Sequence, residues 1–295
     1  GAESLSAAGN IFLGQTEAPL LVKPYIKNMT KSELMCLMTG GMATIAGGVF
    51  AAYVALLGGT DPDESIKFAT ILLTASIMNA PAGIVISKIF IPEDSKNKIN
   101  QNLSINKEEL GSNPIHALAK GASDGLKLAF NIAAMLLAFL AFVYMINYFL
   151  AYIGDITSLN NLINSSSEGQ FNKLSMEYLL GQIFRIFAFM IGVGWNESVL
   201  VGSLLGQKFV LNEFIAYVNL AEIKEAGLLS EKSIIISTYS LCGFANFSSI
   251  AIQIGGIGSM APTRQEDISK LGIKALVAAT LATLLTGNIA GYVMI

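Results

Sequence analysis

The chain is poor in charged residues and in the side chains that metal and nucleotide chemistry require. Only 13% of its 295 residues are Asp, Glu, Lys or Arg, about half the share in an ordinary globular domain. The single histidine, His116, lies in a polar segment, whereas Cys36 and Cys242 lie in apolar ones and are interpreted as packing residues. Because there is no His/Cys cluster and no glycine-rich phosphate-binding loop, metal catalysis and ATP-driven pumping both lack the residues that would carry them.

Apolar residues are abundant instead, at 53% of the chain, with a mean hydropathy of +0.59. Crossing a bilayer takes about 20 apolar residues in a helix. Four segments are long enough: 34–58, 67–92, 127–153 and 271–295. A fifth, 233–262, is interrupted by GFANFSS. The sequence therefore predicts an all-α, polytopic membrane protein.

Two segments place polar side chains where the surrounding sequence suits lipid: NIFLGQTEAP (10–19) and KFVLNEFIAY (208–217). The first falls in a stretch, 5–22, that is too short and broken for a clean crossing. The second falls in a stretch, 174–222, that is too long for one crossing and is broken by GVGWNES and LNEF. Irregular backbone at membrane depth is tolerated where it is buried in protein or lines a wet cavity. Both stretches therefore predict re-entrant helical hairpins beside an internal cavity.

The order hairpin, broken helix and transmembrane helix occurs twice. The first repeat (1–92) and the second (174–295) divide into 1–27, 31–58 and 66–92, and into 174–222, 233–262 and 268–295. Between them we expect a cytoplasmic linker with an interfacial helix (93–122), in which 117–126 lies along the membrane before the chain turns into a scaffold helix (123–155). Of the 18 lysine and arginine residues, the hairpin model assigns eleven to one side of the membrane and four to the other, which predicts opposite orientations of the repeats. Inverted repeats are typical of secondary transporters, whose sites lie where broken helices meet.

Intramembrane carboxylates are costly, so Glu17 and Glu213 indicate a binding site. Alternatively, they lie exposed at hairpin tips or pair with a cation such as Lys208. The candidate cavity groups are Asn10, Gln15, Thr16, Glu17, Thr44, Asn212, Glu213, Asn246, Ser248 and Ser249. These carboxylates, amides and hydroxyls suit a neutral ligand rich in hydroxyl and NH groups, since an anion would be repelled. Val49 and Phe244 would hold a flat ring, or are ordinary packing residues.

Oxygen atoms near the first hairpin also suit a sodium ion. Asn10 and Thr44, with backbone carbonyls near Leu13 and Ile45, would supply ligands where a helix unwinds. Gly-Gly pairs flank Thr44 on both sides and would allow the unwinding, unless they serve close helix packing instead.

Several long motifs resemble those of the concentrative nucleoside transporters. They are GNIFLGQTEAPLLVKPY (9–25), GxKxxxNEFxAY (206–217), LCGFANFSSIAI (241–252) and GGIGSMAPTRQEDISKLGIKAL (255–276). The resemblance covers essentially the whole chain. It implies a homotrimer in which a transport domain slides against a scaffold, with coupling to sodium or, as in some bacterial relatives, to protons. It also implies three further helices before this region, so we expect the chain to be an amino-terminally truncated form.

The resemblance further implies roles for individual residues. Base contacts are implied for Gln15, Thr16, Glu17, Val49 and Phe244. Ribose contacts are implied for Glu213, Asn246 and Ser249. The sodium ligands are implied to be Asn10, Leu13, Thr44 and Ile45. Ligands would be nucleosides such as uridine, cytidine and adenosine, with no cofactor besides the coupling ion and no nucleic-acid partner.

The predicted function is thus sodium-coupled nucleoside import across a membrane, which the short external loops suggest is a bacterial inner membrane. Proton coupling is an alternative, as is a non-transporting receptor or assembly protein that recognises nucleosides. A membrane enzyme using Glu17 and Glu213 as acid and base is disfavoured, because the sequence offers neither a nucleophile–base pair nor a metal cluster.

Overall fold

The computed structural model describes residues 1–94, 114–167 and 169–293. Every regular element in those ranges is helical, which confirms the predicted all-α fold. The helices are α1 (Ala2–Asn10), a 3-10 helix (Ala18–Val22), α2 (Lys23–Ile26), α3 (Lys31–Ala43), α4 (Gly47–Gly58), α5 (Pro62–Phe90), α6 (Pro114–Ile156), α7 (Leu159–Ser166), α8 (Met176–Met190), α9 (Ser198–Val210), α10 (Glu213–Glu225), α11 (Glu231–Leu241), α12 (Phe247–Met260), a 3-10 turn (Pro262–Arg264) and α13 (Gln265–Val293).

The helices belong to two compact units. One contains the described residues of 1–94 and 180–293, with α1 to α5 and α9 to α13, and the other contains those of 114–179, with α6 and α7. Within the smaller unit, the Asn160 side chain donates to the Ala151 carbonyl and accepts from the Leu174 N–H. Most of the predicted linker 93–122 lies outside the described residues.

Helix α3 lies at the centre of the larger unit. Every residue from Ser32 to Ala43 is buried, as expected of a helix surrounded by protein. A capping box begins it: the Thr30 hydroxyl accepts from the Glu33 N–H, and the Glu33 carboxylate accepts from the Thr30 N–H. Helix α13 packs against α3, α5, α11 and α12, and small buried residues such as Ala279 let these helices approach closely.

Three helical stretches in the described part of the chain are long and apolar enough to cross a membrane: Lys31–Gly58, Pro62–Phe90 and Pro262–Val293. The pair Ala141–Ile156 and Leu159–Ser166, bent by 99°, would make a fourth if it formed one span. The predicted span 233–262 is not among them, because a break at 242–246 divides it into helices of 11 and 14 residues.

Two predicted boundaries are wrong. Helix α6 continues from Pro114 to Ile156 without the turn expected after 117–126, since no proline follows Pro114 in this stretch to end the helix. The stretch 174–222, predicted as one hairpin, contains parts of three helices, because the chain turns at both 191–197 and 211–212. The second hairpin therefore consists of α9 and α10, and α8 is a separate helix before it.

Candidate functional site

Two helix breaks pack directly against each other inside the larger unit. The first break separates α3 from α4 at 44–46, and the second separates α11 from α12 at 242–246. The Phe244 N–H donates to the Thr44 carbonyl at 3.3 Å. Gly243 is required at this crossing, because a Cβ there would lie 2.6 Å from the carbonyl oxygen of Ala43. The non-helical backbone of the two breaks therefore lies in one place.

Two asparagines begin the helices that point into this region. The Asn212 side chain accepts from the Ile215 N–H at 3.0 Å and caps α10, and the Asn246 side chain accepts from the Ser249 N–H at 2.9 Å and caps α12. Asparagine is favoured at this position because its side chain satisfies an N–H that has no intrahelical partner. Glu213 is the first residue of α10, where the positive end of the helix dipole favours a carboxylate.

The Glu213 carboxylate is almost fully buried, with 6% of the residue exposed. Its two oxygens accept from the Tyr53 hydroxyl at 2.9 Å and from the Asn246 side-chain amide at 3.1 Å. Asn246 also accepts from the Ser248 hydroxyl at 2.6 Å. The start of α10 is thereby joined both to α4, which follows the first break, and to α12, which follows the second.

The first hairpin, α1 with the 3-10 helix, joins the same group through Gln15. Its amide nitrogen donates to the Ser249 hydroxyl at 3.0 Å, while its oxygen, Oε1, is buried with no partner among the described residues. Gln15, Ser249, Asn246, Glu213 and Tyr53 thus form one connected set, which we call the polar network. The network contains four of the eight predicted nucleoside contacts.

The other four predicted contacts lie outside the polar network. Thr16, Val49 and Phe244 are half-buried, and Thr16 packs on Gly256, where a Cβ would lie 2.8 Å from its methyl group. Glu17 is exposed at the start of the 3-10 helix and caps none of its N–H groups.

The predicted sodium ligands surround the first break. The Asn10 amide nitrogen donates to the Ser6 hydroxyl at 3.5 Å, but its oxygen, Oδ1, is buried and unpartnered within the described ranges. The Thr44 hydroxyl donates back to the Gly40 carbonyl at 3.0 Å. Ile45 is buried, and Leu13 is partly exposed. The arrangement leaves an amide oxygen near a stretch of non-helical backbone.

The Gly-Gly pair before Thr44 has the close contacts expected of the packing alternative. Gly40 and Gly41 lie inside α3, which ends at Ala43. A Cβ on Gly40 would lie 3.2 Å from the Asn10 amide, and one on Gly41 would lie 3.2 Å from the Gln15 Cβ. The pair therefore serves close packing of the first hairpin on α3.

Two features of the site escaped sequence reasoning. Tyr53 lies in an apolar helix with no polar neighbour to mark it; it is fully buried and stacks on Tyr217 with ring centroids 4.4 Å apart. Lys208, suggested as a partner of Glu213, instead donates to the Ser240 carbonyl at 2.8 Å and to the Thr283 hydroxyl at 2.9 Å.

Comparison with known proteins adds independent observations. Residues 71–291 match the family model described as "Na+ dependent nucleoside transporter C-terminus", and residues 1–60 match one described as "Nucleoside recognition". The chain is 45% identical over 290 residues to the "Uncharacterized transporter YutK" of Bacillus subtilis, covering 98% of this chain and 66% of that protein. It is 43% identical to "Solute carrier family 28 member 3" of Mus musculus, covering 98% of this chain and 40% of the relative.

A solved structure described as "Structure of CNTnw in an inward-facing substrate-bound state" has a similar fold. Its TM-score is 0.83 at 40% sequence identity, and the match covers 98% of this chain and 64% of that one. The chain therefore spans two thirds or less of the length of these relatives.

Proposed function

Because the chain belongs to the family of Na⁺-dependent nucleoside transporters, we propose that it carries the nucleoside-binding and sodium-binding part of a secondary active transporter. The observation that supports this best is the polar network, which joins the first hairpin, the second hairpin and both helix breaks through buried hydrogen bonds. Sites of this kind lie where discontinuous helices meet.

Glu213, Asn246 and Ser249 would bind the ribose. The Glu213 carboxylate accepts one hydrogen bond from Tyr53 and one from Asn246, which leaves about two of its four lone-pair sites for further donors. Ribose hydroxyls are donors of that kind. A phosphate would be repelled by the same carboxylate at low dielectric, so we assign nucleosides, such as uridine, cytidine and adenosine, rather than nucleotides.

Gln15 would bind the base. Its buried Oε1 atom lacks a partner within the described part of the chain, and leaving a buried acceptor unpaired costs about 1–3 kcal/mol, which a base N–H would recover. Thr16, Val49 and Phe244 would line the pocket beside it, and the exposed Glu17 would reach the base from the water-filled side.

Asn10 and Thr44, with the carbonyls of Leu13 and Ile45, would bind the sodium ion. The Gly47 N–H at the start of α4 donates to the Phe12 carbonyl at 2.9 Å, so the first hairpin is already fastened to the first break. An ion bridging Asn10 and Thr44 would strengthen that attachment and hold Gln15 in place. Sodium and nucleoside would then each bind better in the presence of the other.

For the full-length protein we propose sodium symport by an elevator mechanism. Residues 1–92 and the segment from α9 to α13 would move as the transport domain, with the residues between 92 and the start of α6 as a cytoplasmic linker. Residues 123–155 would belong to the scaffold, in a homotrimer of a bacterial inner membrane with both hairpins re-entrant. The assignment follows the inverted-repeat plan.

Uptake of labelled uridine into vesicles containing the full-length protein tests the proposal. We expect an inward sodium gradient to drive accumulation, and a Glu213→Gln variant to abolish it. Uptake that ignores sodium but rises with external acidity would indicate proton coupling instead. Uridine binding without any uptake would indicate a receptor, and the absence of both would contradict the proposal.

A further inference from the structure

A buried lysine for which nucleoside binding has no direct use contacts the start of the second helix break. Lys208, in the last turn of α9, is only 2% exposed, and its ammonium donates to the Ser240 carbonyl and the Thr283 hydroxyl. Continuing α11 would require the Phe244 N–H to bond to that carbonyl, but it bonds to Thr44 across the break. The ammonium therefore takes the place of a backbone donor that the break removed.

The sequence around the first break carries no such cation, because residues 32–66 contain neither lysine nor arginine. Residues 1–22, which include the whole first hairpin tip, contain neither lysine nor arginine. Asn10 Oδ1 lies there buried and unpartnered among the residues described, and the Thr44 hydroxyl bonds only to the Gly40 carbonyl. The first break thus leaves oxygen atoms available to an ion. At the second break, the corresponding oxygen atoms already bind a lysine.

Two features of the surroundings of Lys208 stabilise an ammonium group. Its ammonium lies at the C-terminal end of α11, where the helix dipole is negative. Ser240 lines a cavity of about 10 Å³ next to it, and the Ser240 hydroxyl oxygen is buried without a partner in the described ranges. An ammonium has three donors, of which two are used; one water molecule would fit this volume and satisfy the third.

We propose that Lys208 is a tethered cation, which occupies in the second repeat the position that the exchangeable sodium ion occupies in the first. This inference rests on the sodium site of the proposed function. Lys208 fastens the end of α9 to one side of the second break, and the bond between Asn246 and Glu213 fastens the start of α10 to the other side. Lys208 is thus a positioning residue that keeps the ribose-binding hairpin closed without an ion from solution.

Chemical rescue tests this directly on the full-length, detergent-purified protein. Lys208→Ala removes a propylammonium-sized group, so we expect uridine affinity to fall about 10-fold or more and added propylammonium to restore most of it. The sodium concentration that gives half-maximal thermal stabilisation should be unchanged, because that ion binds at the other break. Lys208→Met fills the space without a charge and should lose the same affinity without rescue. Lys270→Ala, on an exposed side chain, should match the wild type.

Two results would overturn the tethered cation. One is that propylammonium restores the uridine affinity of Lys208→Met as well as that of Lys208→Ala. The other is that it does not restore the affinity of Lys208→Ala, while the wild type still binds uridine with sodium. Loss of sodium-dependent binding in the wild type would instead contradict the proposed function. If Lys208→Ala fails to fold even with propylammonium, Thr283→Val decides, because it keeps the lysine but removes one acceptor. A fall of about 5-fold in uridine affinity with unchanged sodium dependence supports the proposal, and unchanged uridine affinity overturns it.

Discussion

The break between α3 and α4 and the break between α11 and α12 contact each other, yet different chemistry closes them. At the first, a buried Asn10 oxygen has no partner among the described residues. At the second, a buried lysine binds the carbonyl that the break exposes. On the proposals above, the two halves of similar plan would be specialised differently: one would depend on an ion from solution, and the other would carry its own charge. Since the polar network contacts both, the proposed nucleoside site would be complete only when the first break is closed too.

Removing the Glu213 carboxylate, which the second hairpin places against Asn246 of the second break, should have the largest effect. Hydrogen bonds to a charged group contribute about 1.5–3 kcal/mol each, so a Glu213→Ala variant that loses two of them should bind uridine at least ~100-fold more weakly. Equilibrium binding to the full-length protein measures this. Glu225→Ala, on the exposed end of the same helix, should bind normally. Near-normal binding of uridine by Glu213→Ala would contradict a ribose site at the start of α10.

A change at the first break should act on the ion rather than on the nucleoside. Thr44→Val removes one oxygen ligand and should raise the half-saturating sodium concentration by about 10-fold, with uridine affinity recovered at saturating sodium. Thr70→Val is the matched control, because Thr70 donates to a carbonyl four residues earlier as Thr44 does, but on an exposed helix face. An unchanged half-saturating sodium concentration in Thr44→Val would show that the ion binds elsewhere.

Tyr53 connects the helix after the first break to the Glu213 carboxylate of the second hairpin. Tyr53→Phe removes one hydrogen bond to Glu213 while keeping the stacking on Tyr217, so uridine affinity should fall by about 5-fold. Tyr217→Phe loses a hydroxyl that donates to the Thr238 carbonyl instead, and should lower the melting temperature without changing uridine affinity. If Tyr53→Phe and Tyr217→Phe changed uridine affinity equally, Tyr53 would act only through packing.

The smallest expected effect concerns the packing of the first hairpin. In Gly41→Ala the new Cβ would lie 2.9 Å from the Gln253 amide and 3.2 Å from the Gln15 Cβ. The Gln253 amide is the end of a long side chain and can shift slightly while straining its bond to the Met38 carbonyl, so we expect only a 2- to 3-fold loss of uridine affinity, roughly 0.5 kcal/mol. Gly48→Ala meets nothing within 4 Å and should raise the melting temperature slightly, since alanine favours a helix by about 1 kcal/mol over glycine. If Gly48→Ala weakened uridine binding more than Gly41→Ala did, the first hairpin would not pack on α3 as described.

Apolar runs and polar interruptions were enough to predict the all-α membrane fold, because a bilayer restricts length and backbone pairing so strongly. They did not predict that α6 would continue past 117–126, since helices end only where local chemistry ends them. Tyr53 could not be found, because its partner Glu213 is 160 residues away. The partners of Lys208 were equally hidden, since one of them is a backbone carbonyl that a helix break exposes. The roles of the site residues stay predictions.

Calorimetric titration of the full-length protein with uridine, with and without sodium at constant ionic strength, tests the joining of the two breaks most directly. A coupling of about 1–3 kcal/mol predicts that sodium strengthens uridine binding roughly 5- to 150-fold, and that uridine strengthens sodium binding by the same factor. Equal uridine affinities in the two conditions would show that the breaks are independent and would contradict the account.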